Sequence, residues 1–192
     1  MRKLQKEEQE RIRLLTEYKD QETVTKSGRR VRLCANVGSV SDVAGALQNG
    51  AEGIGLFRSE YLFLEADHCP TEEEQFQTYR LAAEMMAGKP VVIRTIDIGA
   101  DKRAPYMEGE PFHLEQENNP AMGLRGIRLS LEKEELFKTQ LRAILRAGAY
   151  GEVSILYPLI TSVEEFKRAK ALLREVEEEL ADFGIPCGKV RQ

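Results

Sequence analysis

Two short apolar runs in this sequence each end on an arginine. Val91, Val92 and Ile93 follow Pro90 and lead to Arg94, in a stretch that continues through Thr95, Asp97, Gly99, Asp101 and Lys102. Gly53, Ile54, Gly55, Leu56 and Phe57 lead to Arg58, Ser59 and Glu60. Runs of this length, closed by polar residues, fit strands covered on both faces, as in a parallel sheet. Side by side, two such strands set two cations on the carboxyl rim of the sheet, where open α/β sheets and α/β barrels bind their ligands. Guanidinium grips phosphate or carboxylate in a bidentate fork, so the chemistry on offer is retention of an anion carrying either group or both. Spacing alone leaves open whether each arginine meets a ligand or a neighbouring carboxylate.

Other polar residues near these runs have plainer readings. Asp97 and Asp101 have the DxxxD spacing of a metal pair, but orienting Arg94 and Lys102 is the more economical role. Lys102 also reads as a solvated loop lysine. Arg128, three residues after Arg125, reads as a structural ion pair or a solvated side chain. The glutamate-rich helix starts match the helix dipole and need no metal, and the Met85–Met86 pair reads as core.

The elements that would position the arginines can be followed along the chain. Residues 1 to about 20 read as a charged helix with sparse apolar positions Leu4, Ile12, Leu15 and Tyr18. Ser27 to Arg30 is a turn, Val31–Val37 a first strand, and Ser39 or Ser41 caps a helix that Asn49-Gly50 stops. Gly53–Phe57 is the second strand; its glycines point to close approach of a neighbouring backbone or a ligand. Thr71 and Glu74 form a capping box for a helix through Met86. The third strand leads to Arg94. A long irregular segment, about 98 to 130, then carries Pro105, Pro111 and Pro120, and its length marks it as functional or partly disordered. A helix over Glu134–Ala147, a strand over Val153–Tyr157 and a helix capped by Ser162 and Glu165 complete the order, with Phe166, Ala169, Leu172, Leu173, Val176 and Leu180 facing inward. The alternation predicts an α/β fold with a parallel sheet of four β/α units, where a closed (β/α) barrel needs eight. A fifth strand is expected to begin within Gly188–Gln192.

Composition narrows the function classes. Twenty-eight Lys and Arg against 32 Asp and Glu give a net charge of −4, which offers nothing to nucleic acid or an anionic membrane, so any anion site is local. The three cysteines, Cys34, Cys69 and Cys187, lack CxxC spacing, which argues against a disulfide framework or a zinc site and for a reducing, cytoplasmic setting. No apolar run approaches the ~20 residues of a membrane span.

The stretches GAEGIGLFRSEYLF, PTEEEQF, KPVVIRTIDIGADK, NPAMGLRGIRL and TQLRAILRAGAYG together resemble the Enzyme I family of the bacterial phosphoenolpyruvate:sugar phosphotransferase system. The matches run in family order from about Ala35 to the end of the chain. The resemblance implies the N-terminal half of a phosphoenolpyruvate-binding (β/α) barrel over residues 23–192, preceded by a linker helix over 1–22. It implies that Arg58 and Arg94 grip the phosphate of phosphoenolpyruvate and that Lys102 and Arg125 add positive potential at the same mouth. Asn36 is a further candidate at the barrel top. The family's magnesium ligands, carboxylate-holding arginine and catalytic cysteine lie on later strands, and its phosphohistidine lies in an earlier domain. No catalytic residue and no metal ligand is therefore expected here. His68, His113 and the three cysteines match no catalytic position. The parent activity implied is phosphate transfer from phosphoenolpyruvate to an enzyme histidine and on to the carrier protein HPr for sugar uptake, with Mg²⁺ and as a homodimer, the fragment alone being inactive.

The GxGLxRxE and NPxxGxR patterns are shared with pyruvate phosphate dikinase and phosphoenolpyruvate synthase, while the IDIGADK and PTEEEQF stretches favour Enzyme I. A non-catalytic, truncated regulatory module that binds phosphoenolpyruvate or a partner is the reading from another class, since this fold hosts many chemistries.

Overall fold

A computed structural model describes residues 2–19, 21–101, 104–109, 111–112 and 118–192. Lys102 and His113 lie outside the described residues. Four parallel strands, β1 (Ala35–Val37), β2 (Ile54–Arg58), β3 (Val91–Arg94) and β4 (Val153–Leu156), pair in their sequence order. Between and around them run the helices α1 (Arg2–Tyr18), α2 (Val40–Gln48), α3 (Glu60–Glu65), α4 (Glu72–Met86), α5 (Ile127–Glu132), α6 (Glu134–Ala147) and α7 (Val163–Asp182).

The apolar periodicity explains how these elements stack. Val91 and Ile93 of β3, and Val153 and Ile155 of β4, are buried at alternate positions, as the period of a strand requires. They meet Tyr79, Ala82, Ala83 and Met86 of α4, Leu141, Ile144 and Leu145 of α6, and Leu172, Leu173 and Val176 of α7 in one core. Helix α2 packs on α4, α4 on α6, and α6 on α7, so these helices line a single face of the sheet. The helix starts form as their sequences predict. Ser39, Thr71 and Ser162 each cap a helix in a full capping box with Asp42, Glu74 and Glu165, an arrangement worth about 1 kcal/mol apiece.

Some expectations need correction. The first strand is shorter than the apolar run Val31–Val37, because residues 31–34 make only scattered backbone bonds and no ladder, and Leu33 is exposed. Phe166 sits on a helix face that remains partly open to solvent rather than in the core. The stripe of α1 (Leu4, Ile12, Leu15, Tyr18) is exposed throughout. The short α3 was not foreseen: six residues span less than two turns, too few for a helical period to show. The irregular stretch holds a 3₁₀ turn, Pro105–Glu108, and ends in α5. Where a fifth strand is expected, Arg191 forms an isolated parallel bridge beside β4, with Ile155 N–H donating to Arg191 O at 2.7 Å and Arg191 N–H to Val153 O at 3.4 Å.

A second core sits above the carboxyl ends of β2 and β3. Phe63 of α3, Ile96, Ile98, Ala104, Met107, Phe112, Leu129 and Leu136 bury together, and the Tyr106 hydroxyl donates to Phe63 O at 2.6 Å. This cluster holds the segment after β3 against α3 and so fixes the rim.

Candidate anion site at the carboxyl ends of β2 and β3

Arg58 and Arg94 are register partners in the β2–β3 ladder. Adjacent strands lie about 4.8 Å apart, so both side chains start from one level of the rim. That they also leave the same face depends on an irregularity. Counting by twos from buried Ile54 would put Arg58 on the core face. Instead Ile54 pairs with Ala35 and Leu56 with Asn36, while on the other side Phe57 follows to Ile93. Gly55 is passed over, as in a bulge, and the phase changes: Phe57 is buried and Arg58 turns outward with Arg94. The glycines of this strand are needed for close approach, as expected. A Cβ at Gly53 would meet Pro90 O at 2.9 Å, and one at Gly55 would meet Cys34 Cβ at 2.9 Å.

Beneath the rim a buried polar network ties the two strand ends to the helices. Ser59 Oγ donates to Arg94 O at 2.6 Å. Gln140 of α6 donates to Ser59 Oγ and to Tyr79 Oη, both at 3.1 Å, and accepts from Ile96 N–H at 2.9 Å. All the side chains involved are fully buried, which is why they must satisfy one another. Burial pushes the Tyr79 phenol far up, so it stays a neutral donor and acceptor.

On the rim itself the charges alternate. Arg94 pairs with Glu60 through Nη2 and with Asp97 through Nη1 at 3.3 Å. Asp97 in turn accepts from Arg125 Nε and Nη2, each at 3.3 Å, and Arg125 Nη1 reaches Asp101 at 3.2 Å. The placement of Asp97 follows from its neighbours: Ile96 and Ile98 are buried, so extended backbone must turn the residue between them outward. Arg125 is held by its own loop, in which Arg128 donates to Gly123 O at 2.8 Å and Ala121 O at 3.3 Å. Among the described residues Arg128 is thus a loop brace on carbonyls and forms no ion pair.

Arg58 differs from the other two. Its guanidinium stacks 4.5 Å from the Tyr61 ring centroid and donates to Tyr61 Oη at 3.1 Å. Among the described residues no carboxylate forms an ion pair with it. Asp42, held below the usual carboxylate range chiefly by the Gly38 N–H, feels Arg58 only as a lesser, more distant charge. Arg58 Nε, Arg94 Nε and Glu60 Oε2 are buried without a hydrogen-bond partner among the described residues, a cost of about 1–3 kcal/mol per group that an incoming acceptor would relieve for the two arginines.

The structure therefore brings Arg58, Arg94 and Arg125 to one rim. Asn36 is exposed on β1 beside Leu56, two positions short of the Arg58 level. Asp97 pairs with Arg94 as expected and Asp101 with Arg125; the expected pairing of Asp101 with Lys102 falls outside the described residues. Sequence reasoning named Glu60 only as a residue closing the second run, and missed its pairing with Arg94 and the stacking of Tyr61 on Arg58. Glu60 and Tyr61 lie in the unforeseen α3, and the signal available was their place directly after the strand-end Arg58. Among the described residues no group of three or more His, Cys, Asp or Glu side chains could hold a metal ion, and no helix is long and apolar enough to cross a membrane.

Comparison with known proteins bears on this rim. The model of the PEP-utilising enzyme family's PEP-binding domain matches residues 13–190. Similar curated proteins are the phosphoenolpyruvate-protein phosphotransferases of Bacillus subtilis (strain 168), 51% identical over 162 residues, covering 84% of this chain and 28% of the relative; of Geobacillus stearothermophilus, 51% over 163 residues, 85% and 27%; and of Staphylococcus carnosus (strain TM300), 47% over 170 residues, 88% and 29%. The chain spans less than a third of the length of these relatives.

Proposed function

The chain belongs to the PEP-utilising enzymes, matching their PEP-binding domain, and from that premise we propose that it is the phosphoenolpyruvate-binding portion of an Enzyme I-type phosphoenolpyruvate-protein phosphotransferase. The observation that carries the reading is the register pairing of Arg58 with Arg94, with Arg125 joined to Arg94 through Asp97. Three guanidinium groups converge at strand carboxyl ends, where phosphoryl transfer needs fixed positive charge more than covalent chemistry. Arg58 and Arg94 grip the phosphate. Lys102 and Arg125 add positive potential, and Asn36 lines the mouth from β1.

The sequential strand order and the helices on one face support a partial (β/α) barrel of the phosphoenolpyruvate type, with about four of eight units and residues 23–192 forming it. Residues 1–22, with α1 exposed along its length, are the linker helix. On this reading Mg²⁺ is held by residues outside this chain. Enzyme histidine, HPr and the sugar-uptake role belong to the parent, which works in the cytoplasm as a homodimer, and the chain alone binds without turnover. The names of the similar curated proteins favour this branch over the pyruvate phosphate dikinase branch and over a regulatory module.

Calorimetric titration with phosphoenolpyruvate, with and without Mg²⁺, tests the reading beside the Arg58→Ala, Arg94→Ala double variant. Binding by the chain that the double variant abolishes is the expected result. Equal binding by both proteins would remove the arginines from the site. Light scattering of the chain tests self-association, and a clean monomer at all concentrations counts against the dimer.

A further inference from the structure

The rim arginines are unequally engaged. Arg94 has two carboxylate partners, of which Glu60 has a side chain 6% exposed and in contact with Nη2. Its other partner, Asp97, stands 3.3 Å away, and Asp97 is equally far from Arg125. Charge-assisted bonds between guanidinium and carboxylate settle near 2.7–2.9 Å, so the Asp97 contacts are long on both sides. Asp97 divides its two oxygens between two guanidinium groups, Oδ2 to Arg94 and Oδ1 to Arg125. That is the span two oxygens of a phosphoryl group would occupy. Its backbone is anchored by buried Ile96 and Ile98, so its carboxylate can swing away by side-chain rotation alone.

Resting on the anion-site reading above, we propose that Asp97 is an exchangeable internal counter-ion, seated between Arg94 and Arg125 until a phosphoryl anion displaces it, whereas Glu60 is the fixed carboxylate that positions Arg94. The division of labour has a physical basis. A carboxylate left between the arginines repels an anion, so its departure is required for both guanidinium groups to turn to the ligand. Loss of Glu60 has the opposite effect: the Arg94 guanidinium, with its Nε already lacking an acceptor among the described residues, loses the partner that sets its direction. Arg58, stacked on Tyr61 and without a carboxylate partner among the described residues, is the cation open to the anion first.

The test is calorimetric titration of the full chain with inorganic phosphate, comparing Asp97→Asn, Asp97→Ser, Asp101→Asn and Glu60→Gln. Each substitution removes one negative charge from the same rim. Asp97→Asn is expected to tighten phosphate by about fivefold or more, Asp101→Asn by less than about twofold, and Glu60→Gln to weaken it by about fivefold. Asp97→Ser gives the same sign as Asp97→Asn and guards against an effect peculiar to the amide. Similar tightening in all the variants would reduce the effect to net charge and overturn the proposal, as would weakening in Asp97→Asn. Absence of phosphate binding by every protein, each folded by circular dichroism, also overturns it. A parallel titration with phosphoenolpyruvate separates the two ideas: phosphate tightened at Asp97→Asn while no protein binds phosphoenolpyruvate keeps the counter-ion and discards the substrate.

Discussion

Arg58 and Arg94 face one another as register partners, yet Arg94 is held by Glu60 and Asp97 while Arg58 rests on the ring of Tyr61. The same residue type, at the same level of adjacent strands, is therefore fixed by two different forces. One is an ion pair removed from most of the solvent. The other is a cation stacked on an aromatic face and open to a ligand.

The difference predicts unequal stability effects. Arg94→Ala strands the Glu60 carboxylate, which is buried, and should cost about 3–5 kcal/mol. Arg58→Ala gives up mainly the Tyr61 contact, about 0.5–1 kcal/mol. Urea denaturation of both variants measures this, and equal midpoints would refute it.

Gln140 is the hub under the rim. Replacing it with Leu keeps the volume but leaves Ile96 N–H, at least, without its buried acceptor, so a loss of about 2–4 kcal/mol is expected. The Ile96 amide should also exchange faster with deuterium than in the unsubstituted chain. Unchanged protection at Ile96 would mean that the bond to Gln140 does not hold the strand end.

Gly53→Ala tests the close approach in β2. The added methyl would lie 2.9 Å from Pro90 O and Cγ, with backbone on one side of the clash. Overpacking of this kind costs about 1–3 kcal/mol. A thermal midpoint equal to that of the unsubstituted chain would show that the strands part without penalty.

His68 should titrate above the ordinary histidine range. Its Nδ1 faces Asp67 at 2.7 Å and its Nε2 faces Glu74 at 3.0 Å, and the Asp67 bond is the larger cause. Glu74 titrates below the usual range, chiefly because it accepts from Thr71 N–H. The signs combine simply. The raised histidine stabilises fully below its unfolded pKa and loses that contribution as pH rises through its folded pKa. The depressed Glu74 stabilises above its unfolded pKa and loses that contribution as pH falls through its folded one. The clamp on the start of α4 is thus tightest between the unfolded pKa of Glu74 and the unfolded pKa of His68, and its contribution is lost beyond that window, toward the folded pKa of each. NMR titration of the His68 ring should show Asp67→Asn lowering its pKa more than Glu74→Gln does; the reverse order would assign the clamp to Glu74.

Much of the scaffold is readable from the chain because it rests on local signals. The capping boxes at Thr71 and Ser162, the run Val91–Ile93 ending at Arg94, and the spacing of Leu172, Leu173 and Val176 each declare an element within a few residues. A cap bonds its own first turn and an amphipathic stripe repeats along one helix, so neither needs a distant partner to be recognised. The alternation of strands and helices then leaves a parallel sheet as the economical arrangement.

The order of the elements, the parallel sheet and the arrival of Arg58 and Arg94 at strand ends are thus written in local residue patterns. Which way those arginines point, and what holds them, follows from packing between distant segments. The phase of Arg58 turns on Gly55, a residue passed over in pairing with two neighbouring strands. Glu60 finds Arg94 across 34 residues of sequence, and Asp97 finds Arg125 across 28. Such contacts depend on the packing of Phe63, Ile96 and Ile98 into a second core. Bulges and long-range ion pairs arise from how separate elements meet, and no local periodicity carries that information.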